Sequence, residues 1–342
     1  MTESPSFLVI NVSRIGDTLL AIPAIRAIAA AYPQAAITVL GHRKRAEVLC
    51  GLPFITEVGS ISKKTAPWRG RFKDRRYTHA LVYGFDKPLV HYALRVADRV
   101  IAFRQDDVTL DRRLYRCVEL PLYRSEHAVW QLLRLPRAIN IAPAGLRIAY
   151  QVLPAEALVA RKRLAADVPV DASPLIGLQV ASFPTRPYRD WPIKQFEGLA
   201  RRVREQWPAS HFLLYGGTDD RARTLWLKNQ LGSGATDYAG LSLRETAAVM
   251  NFTDLYIGVD TGPTHLMSAF DIPLIGLYHC LSSKHLIGPL EHPCLYAIEH
   301  PRPVKDCTEQ SPMDEITVET VFTTVARTLN DHPPKRRLRN SA

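Results

Sequence analysis

The clearest pattern of strand, turn and helix lies in residues 253–265, which are Thr253-Asp254-Leu255-Tyr256-Ile257-Gly258-Val259-Asp260-Thr261-Gly262-Pro263-Thr264-His265. An apolar run suited to a buried strand ends at Asp260, and Thr261 is a candidate N-cap ahead of a proline that a first helical turn tolerates. Backbone amides at such a helix start, with His265 in the first turn, form a candidate anion site. An ordinary strand-to-helix turn of an α/β domain has the same pattern, so the ligand stays open at this point.

The sequence on either side of this stretch alternates between strand and helix patterns. In the second half, the predicted elements are strands Leu175–Val180, His211–Tyr215 and Pro273–Leu277, and helices Ile193–Gln206, Arg221–Leu231 and Val318–Leu329. In the first half, they are strands Phe7–Val12, Ala36–Gly41, Thr56–Ile61, His79–Phe85, Arg99–Phe103 and Leu146–Tyr150, and helices Leu19–Ala30, Arg43–Leu49, Pro88–Val96, Glu126–Leu135 and Pro154–Ala166. Such alternation predicts an α/β fold of parallel sheets with helices on both faces.

The length predicts two domains. A chain of 342 residues exceeds the usual size of one domain. Prolines and small polar residues at 167–174 form the best linker candidate. We therefore expect an N-terminal domain at 1–168, a C-terminal domain at 169–330 and a basic tail at 331–342.

Cations and small residues follow the predicted strands of the second half. Three cations lie around the start of the helix Ile193–Gln206, namely Arg186, Arg189 and Lys194. Cations oppose the helix dipole at that end, so a bound anion explains them better than helix stability, although a loop made basic for solubility is the alternative. Gly216, Gly217 and Asp219 follow the next strand, at a position suited to ribose hydroxyls.

The N-terminal strand is followed by a glycine-containing turn, Ser13-Arg14-Ile15-Gly16-Asp17-Thr18. The G-x-G-x-x-G fingerprint of dinucleotide binding is missing, which disfavours an NAD-dependent oxidoreductase. Asp17 lies where open α/β sheets place their ligands, or else it caps the following helix.

The charge of the chain is uneven. Residues 1–168 contain 26 Lys and Arg against 14 Asp and Glu, a balance of +12, whereas residues 169–342 contain 18 against 19, a balance of −1. A cationic segment at 63–76 contributes Lys63, Lys64, Trp68, Arg69, Arg71, Phe72 and Lys73. It is either a solvated loop or a dock for an anionic surface, in which each cation contributes about 1 kcal/mol. Nucleic acid would need the same charges, but no nucleic-acid-binding module is recognisable.

Composition and cysteine spacing indicate a soluble chain of a reducing compartment. No apolar run reaches the ~20 residues of a membrane-spanning helix, and the first residues do not resemble a leader peptide. We therefore expect a cytoplasmic protein. The five cysteines lack any C-x-x-C spacing, which predicts reduced thiols and no zinc site; they are Cys50, Cys117, Cys280, Cys294 and Cys307.

The sequence resembles the heptosyltransferases of bacterial lipopolysaccharide core synthesis, glycosyltransferase family 9. Four stretches carry the resemblance: Ser13–Leu19, Arg189-Asp190-Trp191-Pro192, Tyr215-Gly216-Gly217 and Asp260–His265. The resemblance implies the GT-B fold of two facing Rossmann-like domains with parallel sheets. Arg189 stands where the family commonly has Lys, and Arg14 replaces a residue that is often small.

The resemblance also implies an activity, namely inverting transfer of heptose from ADP-heptose to Kdo or heptose on lipid A. It makes Asp17 the catalytic base, and it places donor binding at Arg189, Gly216, Gly217, Asp219, Leu241, Asp260, Thr261, Gly262 and His265. Together with the cationic segment, it suggests an acceptor- or membrane-facing set of Arg14, Lys63, Lys64, Trp68, Arg69, Arg71 and Lys73. We expect no cofactor, no metal and no nucleic acid, and peripheral association with the cytoplasmic face of the inner membrane. The alternative is a nucleic-acid- or anionic-surface-binding α/β protein without catalysis.

Overall fold

The computed structural model describes residues 4–70, 76–122, 125–183 and 185–335. Contacts divide the chain into two compact units, Met1–Gln151 and Val152–Ala342. The sequence predicts a boundary after residue 168, whereas the helix Pro154–Asp167 belongs to the second unit. It packs there against the helix Leu243–Met250, and the Arg244 guanidinium donates to both carboxylate oxygens of Glu156 at 2.6 and 2.7 Å.

The first unit contains a six-stranded parallel sheet with the order β3-β2-β1-β4-β5-β6. Its strands are β1 Ser6–Asn11, β2 Ala36–Gly41, β3 Glu57–Ser60, β4 Tyr77–Tyr83, β5 Ala97–Phe103 and β6 Arg116–Val118. Its helices are α1 Ile15–Leu20, α2 Ile22–Ala31, α3 Lys87–Val96, α4 Val108–Asp111 and α5 Ala128–Arg137. Val9 of β1 lies opposite Val39 and Leu81 and is fully buried, as expected of a parallel strand covered on both faces.

The second unit repeats this topology, with the strand order β12-β11-β10-β7-β8-β9. Its strands are β7 Leu175–Gln179, β8 His211–Tyr215, β9 Ala235–Asp237, β10 Leu255–Val259, β11 Leu274–Tyr278 and β12 Leu295–Glu299. Its helices are α6 Pro154–Asp167, α7 Ile193–Gln206, α8 Arg221–Leu231, α9 Leu243–Met250, α10 Gly262–Met267, α11 Lys284–Ile287 and α12 Val318–Asp331. Ile257 of β10 lies opposite Leu178 and Ile275. Both units therefore have the strand order of Rossmann-like sheets, which confirms the predicted α/β, GT-B-like fold.

Several predicted elements differ from the structure. The helix predicted at Leu19–Ala30 is two helices, because α1 ends at Leu20 and α2 begins at Ile22 with Pro23 in its first turn. Asp17 therefore lies inside α1 and not in the turn before it. The strand predicted at Leu146–Tyr150 is wrong, because these residues join no sheet. The helix predicted at Arg43–Leu49 is only a 3-10 turn at Ala46–Leu49.

Two of the five cysteines are bonded to each other. Cys280 and Cys307 form a disulfide with a Cα–Cα distance of 6.0 Å, while Cys50, Cys117 and Cys294 form no disulfide. The prediction of reduced thiols is thus wrong for this pair. The fold joins cysteines 27 positions apart in the sequence, because Cys280 follows β11 and Cys307 lies after the neighbouring strand β12.

Among the described residues, none of the helices is long and apolar enough to cross a membrane. The predicted basic tail falls largely outside these residues, since the description ends at Lys335.

Candidate functional site

The second sheet reverses its strand order between β7 and β10, which is where open α/β sheets bind ligands. The loop 180–191 follows β7, and residues 260–262 follow β10. Close packing of α10 on β10 fixes the second connection. Thr264 Oγ1 donates to the Val259 carbonyl at 2.6 Å. A Cβ at Gly258 would lie only 2.7 Å from this Thr264 Oγ1, so a larger residue would not fit there.

A buried ion pair joins the two connections. Arg189 Nη1 donates a short hydrogen bond to Asp260 Oδ2, and the side chains are only 14% and 4% exposed. The other carboxylate oxygen of Asp260 lies 3.5 Å from His265 Nε2. Asp260 thus lies in contact with two of the other predicted donor-binding residues, and its hydrogen bond with Arg189 holds that guanidinium in place.

Three polar atoms of this cluster are buried without a hydrogen-bond partner in the described parts of the chain: Arg189 Nε, Thr261 Oγ1 and His265 Nδ1. Thr261 is the N-cap residue of α10, as predicted, but its hydroxyl makes no capping hydrogen bond. An unpaired buried polar group costs about 1–3 kcal/mol, so these three atoms are candidate contacts for a ligand or for ordered water. A guanidinium, a hydroxyl and an imidazole can all hydrogen-bond to phosphate oxygens.

The other predicted donor-binding residues form a second cluster at the ends of β8 and β9. The Gly240 amide donates to the Gly216 carbonyl at 3.0 Å, which brings Leu241 next to the glycine turn. Asp220 Oδ2 accepts from the Gly217 amide at 2.8 Å. Burial raises the pKa of the Asp220 carboxyl, and this hydrogen bond opposes the rise. Asp219 is exposed.

In the first unit, Asp17 lies in the first turn of α1 with an exposed side chain. Its carboxylate makes no hydrogen bond or ion pair within the described residues, so it does not cap the helix. The backbone around it is fixed, because Thr18 donates to the Arg14 carbonyl from its amide at 2.9 Å and its hydroxyl at 2.8 Å. Asn11 Nδ2 donates to the Asp17 carbonyl at 3.3 Å. Asp17 therefore presents a free carboxylate on a fixed turn.

Only some of the residues predicted to face an acceptor or membrane have side chains that are exposed and could contact one. Lys64 is exposed, Trp68 is 73% exposed, and Lys63 lies 3.8 Å from Asp86. The Arg69 guanidinium instead donates to the Ser60 carbonyl at 2.6 Å. Arg71 and Lys73 lie outside the described residues.

A cluster of sulfur and nitrogen atoms lies beside the ion pair. The His279 ring packs edge-on against Tyr188 at 5.0 Å between centroids, and it adjoins Cys280 and Cys307 in a group that could hold a metal ion. In this structure the two sulfurs are bonded to each other. The His279 ring nitrogens contact the Leu281 amide at 3.1 Å and the Ser311 carbonyl at 3.0 Å. The cluster therefore stabilises the loop in its present form.

A model of glycosyltransferase family 9 (heptosyltransferase) matches residues 114–316, which is more than half of the chain. The chain belongs to glycosyltransferase family 9. This confirms the predicted family. The matched range includes Arg189, Asp260 and His265 but not Asp17. No curated protein sequence matches this member of family 9.

Three solved structures have the same fold as this family 9 chain. A family 9 glycosyltransferase from Veillonella parvula is 18% identical, with a TM-score of 0.83 and coverage of 97% of this chain and 99% of the other. E. coli ADP-heptose lipopolysaccharide heptosyltransferase II is 20% identical, with a TM-score of 0.79 and coverage of 95% and 99%. E. coli heptosyltransferase WaaC with ADP is 16% identical, with a TM-score of 0.70 and coverage of 94% and 99%.

The structure places further residues at the candidate site of this family 9 chain, none of which is predicted from the sequence. Tyr188 lies under the Arg189 guanidinium, 5.7 Å from ring centroid to Cζ. Asp190 and Arg223 form an ion pair at 2.9 Å next to Arg189. Asp190 belongs to the motif Arg189-Asp190-Trp191-Pro192, but the sequence gives it no role. Arg223 lies in α8, where the sequence pattern does not distinguish it from a solvent-exposed cation.

Proposed function

We propose that the protein is an inverting glycosyltransferase that moves heptose from ADP-heptose to Kdo or heptose in the inner core of lipopolysaccharide. The observation that carries the proposal is the buried Arg189, Asp260 and His265 cluster, whose unpaired polar atoms suit a diphosphate. Family membership supports glycosyl transfer, and the structure of WaaC with ADP supports an adenine nucleotide donor.

In the proposed reaction, Asp17 accepts the proton of the acceptor hydroxyl. The hydroxyl oxygen then forms a bond to the anomeric carbon while the bond from that carbon to the diphosphate breaks, and ADP leaves with the electron pair. A single displacement of this kind inverts the anomeric configuration. A positioned general base typically contributes ~10²–10⁴-fold to the rate, because a neutral sugar hydroxyl is a poor nucleophile.

The leaving ADP gains negative charge, and the second unit carries the groups that can stabilise it. Arg189, whose charge is partly balanced by Asp260, supplies guanidinium N–H donors, and Thr261 and His265 supply further hydrogen-bonding groups beside it. In the same proposal, Gly262 allows close approach of the diphosphate. The second cluster, containing Gly216, Gly217, Asp219 and Leu241, holds the adenosine.

The acceptor lipid and the inner-membrane surface are the proposed partners of the first unit. Lys63, Lys64 and Trp68 supply exposed charge and aromatic surface for anionic lipid. In the same proposal, Arg14 and Arg69 also face the acceptor or the membrane.

The proposal is tested by a donor panel and one substitution. ADP-heptose should be turned over with purified inner-core acceptors, while other nucleotide sugars should not. Asp17→Asn should lower kcat by ~10²–10⁴-fold with little change in the donor KM, since Asp17 acts on the acceptor. Asp106→Asn is the matched control, because Asp106 is exposed in the same unit and Asn tolerates its positive φ of 52°. Full turnover by Asp17→Asn would remove the base assignment, and the absence of transfer from any nucleotide sugar would remove the proposed activity.

A further inference from the structure

One guanidinium closes the loop that carries Arg189. Arg223, in the first turn of α8, donates from Nη2 to the Val180 carbonyl at 2.9 Å and to the Trp191 carbonyl at 3.3 Å. Its Nη1 donates to Asp190 Oδ2 at 2.9 Å. Val180 and Trp191 are the two ends of the loop, so a single side chain holds both ends together. Residue 184 of this loop lies outside the described residues.

Asp190 continues the connection across the loop. Its second oxygen, Oδ1, accepts from the Ser182 amide at 2.6 Å, and the Ser182 hydroxyl donates to the Arg186 carbonyl at 3.0 Å. The Asp190 side chain is 14% exposed and that of Arg223 is 34% exposed. A carboxylate with both oxygens engaged in a mostly buried site has little freedom to move.

The next residue along the loop has a separate anchor. Trp191 is fully buried and donates from Nε1 to the Ile316 carbonyl at 2.8 Å. Because Trp191 is held by the core, loss of the Arg223 and Asp190 pair would release the loop before Trp191 without unfolding the sheet. Arg189 lies in that released part.

We propose that Arg223 and Asp190 are positioning residues that set the Arg189 guanidinium for a nucleotide diphosphate. This inference rests on the proposed donor site, since neither residue is assigned a contact with the donor. Asp190 shares a peptide bond with Arg189 and therefore fixes the backbone from which Arg189 reaches Asp260. Arg223 in turn fixes Asp190. A misplacement of about 1 Å at a binding group can cost up to ~10²-fold.

The test measures the affinity of the full chain for ADP by calorimetry, together with the thermal midpoint of each variant. Arg223→Gln and Asp190→Asn should each weaken ADP binding roughly tenfold or more. The double variant should be no weaker than the worse single variant, because both changes break the same connection. Arg223→Lys should fall between Gln and wild type, since it keeps the charge but cannot reach three acceptors at once.

The matched control is Arg201→Gln, which removes another guanidinium–carboxylate pair of the same unit. Arg201 pairs with Glu197 at 2.8 Å on the surface of α7, and its loss should leave the ADP affinity within twofold of wild type. If Arg223→Gln does not fold, Asp190→Asn and Arg223→Lys carry the test.

The outcomes separate this inference from the proposed function. If wild type binds ADP, Arg189→Ala loses it, and both pair variants bind like wild type, the positioning role is overturned and the donor site stands. The positioning role is also overturned if every variant, including the control Arg201→Gln, loses ADP affinity in proportion to the decrease in its thermal midpoint. Such a result would show that the affinity depends only on overall stability. If wild type binds neither ADP nor ADP-heptose, the donor site and the positioning role are both overturned.

Discussion

At the scale of single residues, Arg189 and Asp260 decide the electrostatics of the site. A carboxylate that is only 4% exposed cannot remain charged at low cost without a partner, and Arg189 supplies one in hydrogen-bond contact. The Arg189–Asp260 pair therefore stabilises the fold in addition to its proposed role in binding. Arg189 Nε is buried without a hydrogen-bond partner among the described residues and is therefore a candidate donor to a ligand.

Removing only one partner should therefore destabilise the protein. Arg189→Ala leaves Asp260 buried without its counter-charge, and we expect a loss of about 3 kcal/mol in the free energy of unfolding. Arg189→Lys should keep most of the stability, whereas Arg189→Ala combined with Asp260→Ala should recover part of the loss. Urea unfolding of the four proteins checks this. Equal stability of Arg189→Ala and Arg189→Lys would contradict a structural role for the pair.

At the scale of elements, strand β8 contains a buried histidine. His211 is only 3% exposed and its Nε2 lies 2.8 Å from Thr236 Oγ1 of β9. Burial, with a smaller contribution from the nearby charge of Arg204, lowers the pKa of His211 from 6.5 to about 4. The folded state therefore keeps this ring neutral in a pH range where the unfolded chain binds a proton.

The resulting pH dependence has a definite sign. Stability is fully present above pH 6.5 and is lost as the pH falls from about 6.5 to about 4, because the unfolded state binds more protons there. The loss attributable to His211 is about 3 kcal/mol. Urea unfolding at several pH values should show a flatter dependence for His211→Gln than for wild type. His285→Gln is the control, since its side chain is 76% exposed, and an equal flattening in both variants would contradict the assignment.

The connection after β11 contains the disulfide, which gives a second prediction at this scale. Thiol titration in denaturant should count three free thiols without reductant and five after reduction, since Cys280 and Cys307 are bonded. Cys280→Ser should lower the free energy of unfolding by about 3 kcal/mol, as expected for a loop of this length. Cys117→Ser, at a free thiol, is the matched control. Five titratable thiols in the untreated protein would show that the bond is not formed.

The elements differ in how far the sequence predicted them. Ile193–Gln206 and Arg221–Leu231 have the predicted bounds, because their ends coincide with prolines, glycines and polar residues. Strands β6, β9 and β12 were not predicted, because they lie at sheet edges and are only partly buried. Leu146–Tyr150 has the apolar alternation of a strand but no partner. The alternation of apolar residues indicates which side chains are buried. Whether a segment joins a sheet depends instead on pairing with strands far away in the sequence.

The site shows the same division. Asp260 and Arg189 were predicted from their places at helix starts suited to an anion, and Gly216 from its place after a parallel strand. The ion pair of Arg189 with Asp260 could not be predicted, since it joins loops 71 residues apart. Neither could the bond between Cys280 and Cys307, which depends on the order of β11 and β12.

At the scale of the whole molecule, the positive charge belongs to residues 1–168, with a balance of +12 (26 minus 14) against −1 (18 minus 19) for the rest. The described part of the cationic segment keeps Lys63 and Lys64 at the surface together with Trp68. Charge of this kind attracts anionic lipid over about a Debye length.

Binding to lipid vesicles tests this distribution. The Lys63→Ala, Lys64→Ala double variant should bind anionic phosphatidylglycerol vesicles roughly tenfold more weakly than wild type, with a smaller difference at high salt. The Lys162→Ala, Lys228→Ala double variant changes the net charge equally at exposed positions of the second unit and should bind like wild type. If both double variants bind the vesicles equally weakly, the attraction depends on net charge alone, and residues 63–76 are not a docking segment.

The repeated topology has a consequence for evolution. Each unit contains a complete Rossmann-like sheet with its own reversal of strand order, and the residues proposed to hold the donor all belong to the second unit. Substitutions around Asp17 can accumulate without altering the sheet that carries Arg189 and Asp260. In a lineage of such enzymes, the choice of acceptor and the choice of donor would then be inherited as separate traits.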